Sequence, residues 1–201
     1  MKQIDLIEHY PMLASQANAL HSARELIIEA YKAGGKLLLC GNGGSAADCD
    51  HIAGELLKGF LSQRTLTPAL KDALGEELAD RLQMGLPAIS LPSQGAIISA
   101  FCNDVDAQTV YAQLTLALAK PGDVLVCIST SGNSANVVEA ARVAKALGVH
   151  VISMVGERTC ALDGLSDVVL HAPATDTYRV QEYHLPMYHW LCAEVEAYFF
   201  Y

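Results

Sequence analysis

Ser129, Thr130, Ser131 and Ser134 follow the apolar run Asp123 to Ile128 and precede the helical pattern Ala135 to Leu147. A strand that ends in hydroxyls, bends at Gly132 and restarts as a helix brings O–H donors and free helix N–H groups to one point, which suits a phosphate. A helix N-cap alone would need only Asn133 or Ser134 and would leave Ser129, Thr130 and Ser131 unexplained. A second loop, Cys40-Gly41-Asn42-Gly43-Gly44-Ser45-Ala46, has glycines that let a sugar approach the backbone and two polar side chains, Asn42 and Ser45, to contact it. Gly41-x-Gly43-x-x-Ala46 has the outline of a dinucleotide fingerprint. That fingerprint needs a strand ending in an acid about 20 residues later, and Leu57 to Gln63 offers neither, so a nicotinamide enzyme is disfavoured.

Behind the second loop, Ser45 and Asp48 resemble a capping box that starts a helix. His51 and Glu55 lie at i and i+4 on it, with Ile52 and Leu56 on another face, so an imidazole and a carboxylate share one side and can serve a metal or a proton path. A solvated ion pair is the bland alternative. It is set aside because the first turn of this helix faces the ligand loops. The final helical stretch carries Arg179-Val180-Gln181-Glu182-Tyr183-His184-Leu185-Pro186-Met187-Tyr188-His189. Gln181 and His189 stand about 80° apart around a helix and can face one side. Pro186 between them removes a hydrogen bond and puts their relative placement at issue. His184 reads as a core or interface histidine, and His9, His21, His150 and His171 have no partner pattern.

The elements that must position these groups alternate. Strands are expected at Lys36–Cys40, Pro87–Leu91, Asp123–Ser129, His150–Val155 and Val168–His171, and helices at Ile4–Ala33, Ala46–Phe60, Ala96–Cys102, Ala107–Ala119, Ala135–Leu147 and Thr177–Phe200. This order predicts an α/β three-layer sandwich: a five-stranded parallel sheet with helices on both faces, joined by right-handed crossovers, and a long N-terminal helix. Ligands of such sheets sit beyond the carboxyl ends of the strands, so both loops can share one ligand. Residues 62–85 interrupt the pattern. Pro68, Leu70, Leu74, Leu78 and Leu82 there read as an inserted amphipathic helix beginning near Pro68, within a single domain over 1–201.

Composition narrows the class. The 201 residues are 52% hydrophobic and include no run approaching the roughly 18 apolar residues of a membrane span. Met1 to Asp5 lacks a secretory pattern, and six cysteines without a C-x-x-C pair fit a reducing compartment, so the expectation is a cytoplasmic protein. A formal charge of −9 without a Lys/Arg cluster argues against nucleic acid. Local dipoles, not net charge, must therefore hold any phosphate.

Taken in order, Gly41-Asn42-Gly43-Gly44-Ser45-Ala46-Ala47-Asp48, His51-x-x-x-Glu55, Asn103-Asp104, Gly122-Asp123-Val124-Leu125, Ser129 to Ser134 and Arg179-x-Gln181-Glu182-x-His184-x-x-x-x-His189 resemble the phosphoheptose isomerases. These are sugar isomerase (SIS) domain enzymes that interconvert sedoheptulose 7-phosphate and glycero-manno-heptose 7-phosphate. The resemblance runs from about Ala33 to the C-terminus, apart from the insertion, and implies a flavodoxin-like SIS fold. It implies phosphate binding by Ser129, Thr130, Ser131 and Ser134, and sugar contacts from Asn42, Gly43, Gly44, Ser45, Asn103, Asp104 and Gln181. It implies one zinc per subunit on His51, Glu55, Gln181 and His189, with Glu55 and His189 as the acid/base pair, and a homotetramer. Mixed His, carboxylate and amide donors suit a borderline metal. Moving a proton between C1 and C2 of a sugar requires a carboxylate base and a group that shuttles protons between oxygens, and Glu with His answers both needs. A non-catalytic SIS-type phosphosugar-binding protein, like the relative that associates with the bacterial replication initiator, is the alternative; that relative lacks the acid and the final histidine. An isomerase of another sugar phosphate is a third reading.

Overall fold

The computed structural model describes residues 5–201. Five parallel strands form one sheet: β1 (Leu37–Gly41), β2 (Ala88–Ser90), β3 (Val124–Ile128), β4 (His150–Val155) and β5 (Val168–His171), in the order β2-β1-β3-β4-β5. β1 and β3 are buried along their whole length, as expected of strands covered on both faces. In register Cys40 lies opposite Cys127 and Gly41 opposite Ile128, so the chain leaves both central strands at the same edge. That edge carries both candidate ligand loops.

The helices are α1 (Leu6–His9), α2 (Ala17–Lys32), α3 (Gly44–Leu57), α4 (Pro68–Leu74), α5 (Glu76–Ala79), α6 (Gly95–Phe101), α7 (Val110–Leu118), α8 (Ala135–Ala146) and α9 (Thr177–Phe200). They cover both faces of the sheet, forming two cores. One joins α2, α3 and α9 to the sheet through Ile27, Ile52, Leu56, Val126, Met154, Tyr188 and Leu191. The other joins α7 and α8 through Val110, Leu114, Val137 and Ala141 to Leu38, Leu125 and Val151. Burial at these positions follows the helical period of about 3.6 residues.

Three expectations from the sequence are corrected. The N-terminal helix over Ile4–Ala33 is not continuous: α1 ends at His9, Pro11–Gln16 is a 3-10 turn, and α2 starts at Ala17, because Pro11 has no N–H for an α-helical bond. Ile4 itself lies outside the described residues. Ser45 and Asp48 do not cap α3; its N-cap is Gly43 at φ 56°, Ser45 is buried in the first turn, and Asp48 faces Tyr188. The inserted helix is two short ones parted by Gly75 at φ 78°, and Leu70, Leu74, Leu78 and Leu82 are all exposed. The last helix has the expected bounds: α9 runs from Thr177 to Phe200 with Pro186 inside it.

Candidate active site

β3 ends at Ile128, and Gly132 turns the chain with φ 65° and an N–H bond back to the Ser129 carbonyl, 2.9 Å. A side chain at Gly132 would collide with Cys160 Sγ, 2.1 Å from an added Cβ, so only glycine fits both the backbone angle and the space. Ser129 is buried and its Oγ lies 3.1 Å from Ser134 Oγ, while Ser131 Oγ accepts from the Asn133 N–H at 3.2 Å. Ser134 is the N-cap of α8 but makes no side-chain capping bond. Its hydroxyl, paired with Ser129 Oγ, lies beside the free N–H groups of α8, which is the arrangement that receives an anion.

The glycine loop leaves β1 at Gly41, whose carbonyl accepts from the buried Tyr111 hydroxyl at 2.8 Å. Asn42 and Asn136 exchange two amide hydrogen bonds, each 2.9 Å. This pair ties the glycine loop to the first turn of α8. The sequence reading missed Asn136, since nothing local distinguishes it from any other polar residue in the first turn of a helix. At Gly44 an added Cβ would sit 2.4 Å from Gln181 Nε2, so the amide of α9 lies against the glycine loop. Asn103 and Asp104 occupy an exposed π-helical turn, Cys102–Asp106, where Asn103 Nδ2 donates to Asp104 Oδ1 at 2.8 Å. Neither makes a hydrogen bond to the other two loops among the described residues.

Further along α3, His51 Nε2 lies 3.2 Å from Glu55 Oε1, and His189 Nε2 comes from α9 to 3.5 Å from the same nitrogen. Lys58 Nζ holds the other carboxylate oxygen of Glu55 at 2.9 Å. Phe60 packs on the His189 ring with centroids 5.5 Å apart. Burial, then the neighbouring His51, holds the His189 imidazole below its usual pKa despite an opposing pull from Glu55. His189 is thus neutral near neutral pH and can accept or donate a proton. His184 is fully buried and Nε2–H donates to the Val155 carbonyl at 3.3 Å, which fits its core reading; burial lowers its pKa to about 4.

The metal donors expected from the resemblance divide in two. His51, Glu55 and His189 cluster, while Gln181 rests against Gly44 and makes no hydrogen bond to any of the three among the described residues. Zinc ligands at about 2.0–2.1 Å in tetrahedral array stand roughly 3.3 Å from one another, close to both observed separations. Two imidazoles and a carboxylate suit zinc in kind. As they stand, however, no group of three or more His, Cys, Asp or Glu side chains among the described residues is disposed to hold a metal ion; the cluster is paired through His51.

The insertion is fastened to this site by a buried ion pair that the sequence did not single out. Arg64 Nε donates to Glu196 Oε1 at 2.8 Å, and its two terminal nitrogens donate to the carbonyls of Leu56 and Glu55 at 2.5 and 3.0 Å. The Glu196 carboxylate also accepts the N–H groups of Phe60 and Leu61, both at 2.7 Å. Arg64 therefore satisfies carbonyls left open at the end of α3, including that of Glu55.

Comparison with known proteins bears on the family and the fold. The SIS domain family model matches residues 8–79 and 71–156. A phosphoheptose isomerase of Crocosphaera subtropica is 41% identical over 182 residues, which is 90% of this chain and 83% of that protein. The structure of a phosphoheptose isomerase from Neisseria gonorrhoeae superposes with a TM-score of 0.78 at 31% identity, covering 96% of this chain and 94% of the other. One from Francisella tularensis gives a TM-score of 0.77 at 27% identity over 98% of this chain and 100% of the other.

Proposed function

We infer, from the premise that this chain belongs to the SIS-domain family and within it to the phosphoheptose isomerases, that it is an aldose–ketose isomerase interconverting sedoheptulose 7-phosphate and glycero-manno-heptose 7-phosphate. The observation that carries the reading is the meeting of Glu55 and His189 at His51, brought together from two helices that pack on one another.

Ser129, Thr130, Ser131 and Ser134 bind the phosphate, with the first N–H groups of α8 behind them. Asn42, Gly43, Gly44, Ser45 and Gln181 line the sugar chain, joined across the cleft by the Asn42–Asn136 pair. Asn103 and Asp104 reach it from the exposed π-helical turn. Glu55 takes the proton from C2 of the aldose and returns it to C1, passing through an enediol. His189 gives a proton to O1 and collects one from O2, so the net change is one C–H and one O–H moved by one carbon. The Glu55 side chain is only 15% exposed, which shields its basicity from water.

Zinc, one per subunit, would be held by His51, Glu55, Gln181 and His189, and would supply polarisation of the carbonyl and stabilisation of the enediolate. The whole chain, 1–201, acts as one SIS unit with the 62–85 insertion fastened by Arg64. It works in the cytoplasm as a homotetramer. Among the described residues no helix is long and apolar enough to cross a membrane.

The test is a panel of phosphosugars incubated with the protein, with aldose–ketose exchange followed by NMR. Exchange of the heptose 7-phosphates is expected, and Glu55→Gln should lower kcat by at least about 10²-fold while sugar-phosphate binding persists. Binding of sugar phosphates without exchange by the wild type would transfer the chain to the non-catalytic SIS proteins. Exchange of a different sugar alone would change the substrate and keep the chemistry.

A further inference from the structure

The hydroxyl loop is held along its backbone by residues 156–163, a segment that takes no part in the reaction above. The Thr130 carbonyl accepts the Gly156 N–H at 3.1 Å, and the Gly132 carbonyl accepts the Leu162 N–H at 3.3 Å. Between them the Asn133 side chain acts as a bracket: its Oδ1 accepts the Ala161 N–H at 2.9 Å, and its Nδ2 donates to the Ser131 carbonyl at 2.8 Å. The amide fits only this way round, since a flipped one would set donor against donor and acceptor against acceptor. Ala161 and Leu162 open a 3-10 turn, Ala161–Gly164, and the first N–H groups of any helix have no partner within it. Here those N–H groups go to the hydroxyl loop. Asp163 shapes the turn: its Oδ2 accepts the Cys160 N–H at 3.0 Å and its Oδ1 the Cys160 S–H at 3.2 Å, while Leu162 is fully buried. His171 Nδ1–H, from β5, donates to the Gly156 carbonyl at 2.8 Å. A trans peptide points its C=O and N–H in opposite directions, so bonding the Thr130 carbonyl to Gly156 turns the Ser131 N–H away from this segment. That N–H makes no hydrogen bond among the described residues, which leaves it free for an anion.

We propose that Asn133 and Asp163 are positioning residues for phosphate binding. Asp163 fixes the Ala161–Gly164 turn, the turn fixes the Asn133 amide and the Gly132 carbonyl, and these hold the loop backbone with its hydroxyls and the Ser131 N–H already set for an anion. A loop arranged beforehand spares the phosphate the cost of ordering it. The inference rests on the reading of Ser129–Ser134 as the phosphate site.

The test is a titration of full-length protein with inorganic phosphate, followed by ³¹P NMR, so that binding is read without turnover. Asn133→Ala removes both arms of the bracket at an exposed position and should weaken phosphate binding roughly 2–13-fold, the worth of one neutral hydrogen bond. Asp163→Ala should weaken it in the same range. Charge alone predicts the opposite sign for Asp163→Ala, because deleting a carboxylate near an anion site favours the anion. Asp163→Asn deletes the same charge but keeps an acceptor oxygen for the Cys160 N–H, and should bind phosphate at least as well as wild type. Circular dichroism and melting curves establish that each variant is folded, and Asn133→Ala, outside the core, carries the test if Asp163→Ala is not. Unchanged or tighter binding in either folded alanine variant, or an Asp163→Asn variant as weak as Asp163→Ala, would overturn the proposal. Ser131→Ala and Ser134→Ala in the same titration separate its failure from that of the phosphate reading. Weaker binding in the serine variants with Asn133→Ala unchanged removes the positioning role and leaves the phosphate site standing. A wild type that binds no phosphate, or serine variants that bind it unchanged, would remove both.

Discussion

Replacing Arg64 by methionine should damage this protein more than any exposed charge substitution, and the structure supplies the reason. Arg64 and Glu196 are both about 1% exposed, and the guanidinium makes three hydrogen bonds, to Glu196 Oε1 and to the carbonyls of Leu56 and Glu55. Its charge also lies over the Phe200 ring at 4.7 Å. Methionine fills comparable volume but leaves the Glu196 carboxylate buried with two backbone N–H donors and no cation, and leaves the Glu55 carbonyl without its partner. Breaking one side of a buried pair costs about 3–5 kcal/mol, well above the roughly 0–1 kcal/mol of an exposed pair. For a chain of this length that corresponds to a melting temperature lower by roughly 6–20 °C. Scanning calorimetry with parallel urea unfolding reads the loss. The double variant Arg64→Met/Glu196→Leu removes the stranded charge and should recover part of it, so the two substitutions will not be additive. Turnover should also fall in Arg64→Met at temperatures where it is folded, because Phe60 packs on His189 and its N–H is held by Glu196. A melting point within about 2 °C of wild type would refute the argument, since it would place the network's net worth below about 1 kcal/mol.

Three further outcomes follow from the same geometry. Ser131→Ala and Ser134→Ala should each raise KM for the sugar phosphate at least about 10-fold, the worth of one hydrogen bond to a charged group, with little loss of stability because Ser134 makes no capping bond; steady-state kinetics and melting curves check both. Gly44→Ala should fold as well as wild type, alanine favouring the helix start by up to about 1 kcal/mol, yet its Cβ displaces the flexible Gln181 amide, so kcat/KM should fall roughly 2–13-fold. His184, with a pKa lowered to about 4 in the fold against 6.5 unfolded, binds its proton more readily in the unfolded chain; its stabilising contribution is complete above about pH 6.5 and is lost as pH falls towards about 4. That loss is about 3 kcal/mol, and urea unfolding between those pH values should show a slope that His184→Gln flattens.

Much of this molecule was legible along the chain because its signals are local. Val124–Ile128 and Leu37–Gly41 are uninterrupted apolar runs bounded by turn residues, and runs of that kind form central parallel strands whatever surrounds them. The hydroxyl loop and the i, i+4 spacing of His51 and Glu55 are likewise properties of a few adjacent residues, as is the set of motifs by which the family was identified. The errors also had local causes: Pro11 and Gly75 interrupt apolar periodicities that otherwise read as continuous helices. What the tertiary structure alone decided are pairings across long separations. Asn42 meets Asn136, Arg64 meets Glu196, and Asp48 and His51 meet Tyr188, because the parallel sheet brings loops from different strands to one edge and packs α9 along α3. No period or propensity encodes which buried arginine finds which glutamate, or which tyrosine meets His51. Those facts depend on the relative placement of elements more than 90 residues apart, which hydrophobic packing of the whole chain sets and no single segment specifies.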